Sequence, residues 1–60
     1  MIIFEGDYLL LASNNQWEQV ISITDNMTVV TESGTVHASD RHVLQVLSIS
    51  EYEAQYRSRA

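Results

Sequence analysis

The residue types that could hold a metal ion lie together in one short segment. His37, Asp40 and His42 fall within six positions, and neutral imidazole and carboxylate are ligands for zinc or nickel. Their spacing, H-x2-D-x-H, matches no strong metal motif, and Arg41 between them would repel a cation. Short polar side chains also favour turns, because they accept hydrogen bonds from nearby backbone amides. The segment 38–42 therefore predicts a polar turn, with neither a metal nor a cofactor.

Four aromatic side chains could surround a cationic group such as a methylated amine, because ring faces attract positive charge. They are Tyr8, Trp17, Tyr52 and Tyr56. Two acidic neighbours, Asp7 and Glu18, would suit such a ligand. The competing interpretation, which we favour, is that Trp17 covers the core and the tyrosines pack a helix onto it.

The residues that could act as acids, bases or nucleophiles show no catalytic spacing. Glu51 and Glu53 are close in sequence, but positions i and i+2 of a helix point apart. No spacing places a serine beside a histidine, and two isolated glycines, Gly6 and Gly34, cannot form a phosphate-binding loop. The sequence predicts that the chain is not an enzyme.

The elements that must position these residues are mostly strands. Over the first forty-nine residues, Val, Ile, Thr and aromatic residues recur between short polar stretches, as in β-strands joined by turns. We predict strands over residues 8–12, 17–24, 27–31, 35–37 and 43–49. In the second strand, one face is the more apolar, and we expect it to point inward. That face carries Trp17, Gln19, Ile21 and Ile23.

Loops, turns and a terminal helix complete this prediction. Residues 13–16 favour a loop, residues 25–26 favour a tight turn, and Gly34 would close a second hairpin with a positive φ. Ser50 and Glu53 fit a capping box, which predicts a helix over residues 51–57. A helix this short needs to dock on the rest of the chain, and Tyr52 and Tyr56 would lie on its docking face.

The layout resembles that of small SH3-like modules of the KOW and Tudor-like type. Gly6-Asp7-Tyr8-Leu9 is similar to their opening, residues 17–23 to their second strand, and residues 39–43 to the turn before their last strand. The resemblance implies a mainly β fold, a five-stranded SH3-like barrel over about residues 5–49 with a short C-terminal helix. The whole chain, residues 1–60, would form a single domain.

The charge distribution argues against phosphate-bearing partners. The 60-residue chain has a formal net charge of −5, and its first forty residues contain six carboxylates but no lysine or arginine. Phosphate contacts require clustered cations, and anionic lipid would be repelled in the same way. No apolar run reaches the roughly 20 residues of a membrane helix, and no basic segment marks a secretory signal. We therefore expect a cytoplasmic protein that does not bind membranes and is unsuited to nucleic acid.

These observations predict a small acidic, non-enzymatic protein-interaction module, of the kind that phages and plasmids use to modulate a host protein. Its partner would be a protein with a basic surface, another copy of the chain, or both. The apolar segment 1–4 would either add a strand to its own sheet or pair with another subunit. Two alternatives stay open, a weak nucleic-acid-binding SH3-like module and a subunit of an oligomeric enzyme with an interfacial site. The residues expected at the protein interface are Ile2, Ile3, Phe4, Trp17, Leu44, Val46, Tyr52 and Tyr56.

Overall fold

The structure is a computed structural model that describes residues 2–25, 27–39 and 41–57. Five β-strands make up nearly half of the described residues, and they are followed by a short helix that continues as a π-helical turn. The elements are β1 (Tyr8–Leu11), β2 (Trp17–Asp25), β3 (Thr28–Thr31), β4 (Gly34–His37), β5 (Val43–Leu47), α1 (Ile49–Tyr52) and the π-helical turn (Glu53–Arg57). The prediction of a mainly β fold with a short C-terminal helix is confirmed.

The strands form one antiparallel sheet in the order β4-β3-β2-β1-β5. The long strand β2 pairs with β1 near its start, where Leu10 lies opposite Trp17, and with β3 from Val20 onward. Within the described residues, β4 pairs only with β3 and β5 only with β1. The sheet is therefore not closed into a barrel, and the barrel predicted over about residues 5–49 is not confirmed.

The core lies on one side of β1, β2 and β3. Leu9, Val20 and Val29 are fully buried, and three further apolar side chains complete the cluster. The prediction for β2 is wrong, because Val20 is 2% exposed whereas Ile21 on the predicted inward face is 56% exposed. The two-residue alternation itself is present, since Val20 and Ser22 are more buried than Gln19, Ile21 and Ile23, but the face that packs on the core is the one with fewer apolar residues. The three further core residues are Leu11, Ala38 and Val43.

Residues with positive φ make the sharp turns between strands. Asn15 has a φ of 57° in the loop between β1 and β2, and Gly34 has a φ of 118° where β4 begins. Asparagine and glycine tolerate these conformations better than other residues. The predicted loop over residues 13–16 and the predicted hairpin at Gly34 are confirmed, whereas Asn26 of the predicted 25–26 turn lies outside the described residues.

The helix begins two residues earlier than predicted. The Ser48 hydroxyl accepts a hydrogen bond from the backbone N–H of Glu51 at 3.1 Å, and the Ser48 N–H donates to the Glu51 carboxylate at 2.9 Å. This capping box replaces the predicted box of Ser50 and Glu53, since the same S-x-x-E spacing occurs twice. The last strand consequently ends at Leu47 rather than at residue 49.

The N-terminal segment does not form a strand within the described residues. Ile3 packs against the core cluster, whereas Ile2 and Phe4 are largely exposed. Backbone hydrogen bonds to Val20 begin only at Gly6 and Asp7. Of the two alternatives for residues 1–4, a strand added to the chain's own sheet is not formed by residues 2–4, and pairing with another subunit stays a prediction; Met1 lies outside the described residues. In the part of the chain that is described, no helix is long and apolar enough to cross a membrane.

Candidate functional site

The four aromatic residues singled out in the sequence lie together on the surface. Tyr8 comes from β1, Trp17 from the start of β2, Tyr52 from the end of α1, and Tyr56 from the π-helical turn. We call Tyr8, Trp17, Tyr52 and Tyr56 the aromatic cluster. The docking of the helix through its two tyrosines was predicted and is confirmed by the ring contacts. The gathering of all four rings was considered from the sequence only as the less favoured alternative.

Two rings of the cluster are stacked, and the other two contact the stack at an inclined angle. Tyr8 and Tyr52 lie almost parallel, with ring centroids 3.7 Å apart and 7° between their planes. Trp17 meets Tyr52 edge-on at 5.8 Å and Tyr56 at 5.9 Å, and the two tyrosines of the helix lie 4.9 Å apart. Ring contacts at distances of about 4.5–7 Å, such as those of Trp17 and Tyr56, contribute about 0.5–1.5 kcal/mol beyond the burial of area. The cluster therefore holds the helix against the sheet.

Strand pairing and the helix cap place these rings. The register that sets Tyr8 opposite Gln19 and Leu10 opposite Trp17 places the Tyr8 and Trp17 side chains on the same face of the β1–β2 pair. The cap at Ser48 starts the helix immediately after β5, so that Tyr52 reaches Tyr8 one turn later. Gly6 gives the helix room, because it has a φ of 93° and an added Cβ would lie 2.8 Å from the Ile49 side chain.

An open cavity of about 380 Å³ lies beside the cluster and carries negative charge. Two carboxylate residues line it, Glu18 on β2 and Glu32 in the turn between β3 and β4. Glu18 was predicted as an acidic neighbour, whereas Asp7 is not in the lining and its carboxylate instead accepts the Phe4 N–H at 2.9 Å. Glu32 was missed, although the pairing of Val20 with Thr31 brings the next residue toward the start of β2.

The residues predicted at a protein interface are distributed over three places. Trp17, Tyr52 and Tyr56 belong to the aromatic cluster, and Tyr56 is 50% exposed. Ile2 and Ile3 line a second, mostly apolar groove. Phe4 follows them in the sequence and is exposed. The remaining two lie on the edge strand, where one side chain is exposed and the other packs on the core; they are Leu44 and Val46.

A larger and mostly apolar groove of about 580 Å³ lies at the far end of β2. Ile23 and Met27 line it together with Ile2, and all three side chains are exposed. The sequence did not indicate this groove, because the side chain of Ile23 was expected inside the core. Among the described residues that line it, Asp25 is the only ionisable one, and its carboxylate accepts the Met27 N–H.

The two histidines of the predicted polar turn are close to each other. Their ring centroids are 5.6 Å apart, and the Ser39 hydroxyl lies 2.7 Å from Nδ1 of His42. Asp40, the third member of the segment, lies outside the described residues. Among the described residues, no group of three or more potential ligands could hold a metal ion.

Two carboxylates have perturbed titration, and both perturbations come from turn and cap hydrogen bonds. The backbone N–H of Met27 donates to Asp25 at 2.9 Å and lowers the pKa of that carboxyl. The backbone N–H of Ser48 likewise lowers the pKa of Glu51. Perturbed pKa values often mark catalytic groups, but here local structural bonds account for them.

Comparison with known proteins found no match, since no family model, no curated protein and no solved structure is similar to the chain. The resemblance to SH3-like modules therefore stays a prediction, and the site has to be interpreted from its own chemistry.

Proposed function

We propose that the chain is a small acidic, non-enzymatic protein-interaction module that binds a protein with a basic surface. The observation that supports this best is the aromatic cluster, which lines an open cavity together with the acidic residues Glu18 and Glu32. Aromatic residues are enriched at the centres of protein interfaces, and the net charge of −5 favours a partner of opposite charge.

The chemistry of this surface favours a protein partner over nucleic acid. Aromatic rings can stack on bases, but the two carboxylates beside these rings would repel phosphate groups. Arg41 is the only arginine whose side chain the structure describes, and it does not line the cavity.

The proposal also includes another copy of the chain as a partner and an SH3-like architecture. The strand order, with the long β2 shared between β1 and β3, supports that architecture. The edge strand β5, which contains no charged residue, supports pairing between copies. We place the module in the cytoplasm, on the sequence arguments given above.

Site-specific photo-crosslinking in cells that naturally produce the chain tests this function. A benzoylphenylalanine at position 56 would report on the aromatic cluster, and the same group at Ala12, exposed and outside the cavity lining, is the matched control. We expect a discrete protein adduct at position 56 only. Extraction at about 1 M salt, where the Debye length falls to about 3 Å, should release the partner if it is applied before illumination.

Two results would overturn the proposal. One is an absence of protein adducts at position 56 above those at position 12. The other is an adduct that nuclease removes, which would show that the cluster contacts nucleic acid.

A further inference from the structure

We infer that the cavity beside the aromatic cluster is a binding site for an arginine side chain of the partner protein. This inference rests on the proposed function and names the group that the module recognises. It is supported by three features of the described residues, namely the free space, the charge around it and the orientation of the rings.

The free space beside the rings is large enough to hold a side chain of the partner. A cavity of about 380 Å³, open to solvent, lies beside these rings. This volume falls within the range of about 300–1,000 Å³ that is typical of sites for small ligands. Tyr56 is half exposed at the rim, so a side chain can enter without moving the core.

The charge around the cavity selects a cation. Glu18, on β2, is half-buried, and Glu32, in the turn between β3 and β4, is exposed. Both residues line the cavity. No lysine, arginine or histidine is among the described residues that line the cavity. Two acidic lining residues, with no cationic residue among the described residues of the lining, favour a positively charged ligand, and the partial burial of Glu18 strengthens this attraction.

The orientation of the rings favours a flat cation. Tyr8 and Tyr52 stack on each other at 3.7 Å, which leaves no space for a group between them. A ligand can therefore reach only the outer surfaces, chiefly those of Trp17 and Tyr56, which are inclined at 56° to each other. A guanidinium group is planar, stacks on an aromatic ring, and directs five N–H donors outward in its plane. It can thus contact a ring and hydrogen-bond to carboxylates at the same time.

Other side chains of similar size would use fewer of these features. The lysine ammonium is compact and strongly hydrated, and it does not stack on a ring. A trimethylated ammonium has no N–H donor, so Glu18 and Glu32 would lose water without gaining a hydrogen bond. Citrulline keeps the shape of arginine but carries no charge. The site should therefore bind arginine better than these three side chains.

Tryptophan fluorescence provides a direct assay, because Trp17 is the only tryptophan in the chain and lies in the site. The purified chain would be titrated at low salt with blocked Gly-X-Gly peptides, in which X is arginine, lysine, trimethyl-lysine or citrulline. We expect a saturable change in emission for arginine with a dissociation constant in the millimolar range or tighter. Binding of the citrulline peptide should be about tenfold weaker or more, since charge-assisted hydrogen bonds are lost.

Substitutions on the chain locate the binding. Glu18→Gln and Glu32→Gln should each weaken arginine binding severalfold, because each removes one charge from the lining. Glu5→Gln is the matched control, since it removes the same charge from an exposed glutamate that does not line the cavity and should leave binding unchanged. Circular dichroism of each variant confirms that the sheet is intact.

The inference is overturned if the arginine peptide does not bind, if lysine or citrulline binds equally well, or if both glutamine variants bind arginine as the native chain does. These failures differ from failure of the proposed function. A protein adduct at position 56 combined with no arginine binding would leave the interaction module standing and would exclude arginine as the recognised group.

Discussion

Leu9 and Leu44 show how differently two leucines of the same sheet are used. Leu9 is fully buried and lies between β2 and β5, opposite Glu18 and Val46. Leu44 is 58% exposed on the edge strand β5. Two leucines, identical as residue types, should therefore contribute very differently to stability, because only the first removes its side chain from water.

We expect Leu9→Ala to unfold the protein or nearly so. Truncating a fully buried leucine costs about 2–5 kcal/mol, and a chain of this length has a total stability of about 3–9 kcal/mol at 0.05–0.15 kcal/mol per residue. Leu44→Ala should change stability by less than about 0.5 kcal/mol. Urea unfolding followed by Trp17 fluorescence measures both, and similar losses for the two variants would contradict the assignment of the core.

At the scale of elements, the helix cap links the end of β5 to the aromatic cluster. Ser48 and Glu51 bond each other reciprocally, and Tyr52 follows directly. Because the bond from Ser48 lowers the pKa of Glu51, the ionised form is favoured in the folded state. Its contribution is present above the ordinary glutamate value of about 4.5 and is lost as the pH falls through the lower pKa of the folded chain.

We expect Glu51→Gln to reduce stability near pH 7 and to have progressively less effect as the pH falls below about 4.5 and through the lowered pKa of the folded chain, where the native carboxylate becomes protonated. Ser48→Ala should cost about 1 kcal/mol at both pH values, because it removes the hydroxyl that accepts a bond from the helix. Unfolding curves of the two variants, measured near pH 7 and well below pH 4.5, distinguish the contribution of the charge from that of the hydroxyl. A loss from Glu51→Gln that did not change with pH would show that its charge has no part in the cap.

The elements also show which parts of the fold a sequence can predict. Short polar stretches and the glycine at position 34 bound the strands well, because backbone conformation there is decided locally. The inward face of β2 was misassigned because its more apolar face is the exposed one, and which face is covered is decided by packing against residues distant in sequence. The choice between two capping boxes depends on contacts such as that of Ile49 with Gly6. Local signals therefore predicted the strands, and long-range contacts decided the rest.

The candidate site follows the same division. The two tyrosines of the helix were recognisable from their spacing, and Trp17 from its place at the start of a strand. Glu32 carried no local signal, since an acidic residue before Ser-Gly reads as part of an ordinary turn. Its proximity to the cluster arises only when β2 and β3 have paired.

At the scale of the whole molecule, the net charge opposes association between copies of the chain, whereas an unpaired strand edge favours it. A net charge of −5 on 60 residues makes copies of the chain repel one another. The edge strand β5, with the sequence VLQVL, has no charge to repel a second strand and no proline to block pairing. Unprotected edges of this kind are templates for pairing with another strand. The edge strands of the described sheet are β4 and β5. Only β5 carries an exposed leucine and no ionisable residue, so we expect copies of the chain to pair there.

We therefore expect light scattering to report an average mass above 6.8 kDa that rises with concentration and with salt, since salt screens the repulsion. Leu44→Lys should return the mass to that of the monomer, because a lysine on an edge strand opposes pairing. Ile21→Lys, which adds the same charge at an equally exposed position of the central strand β2, should not. A mass of 6.8 kDa under all conditions would exclude self-association, and dissociation by both variants would place the contact away from the β5 edge.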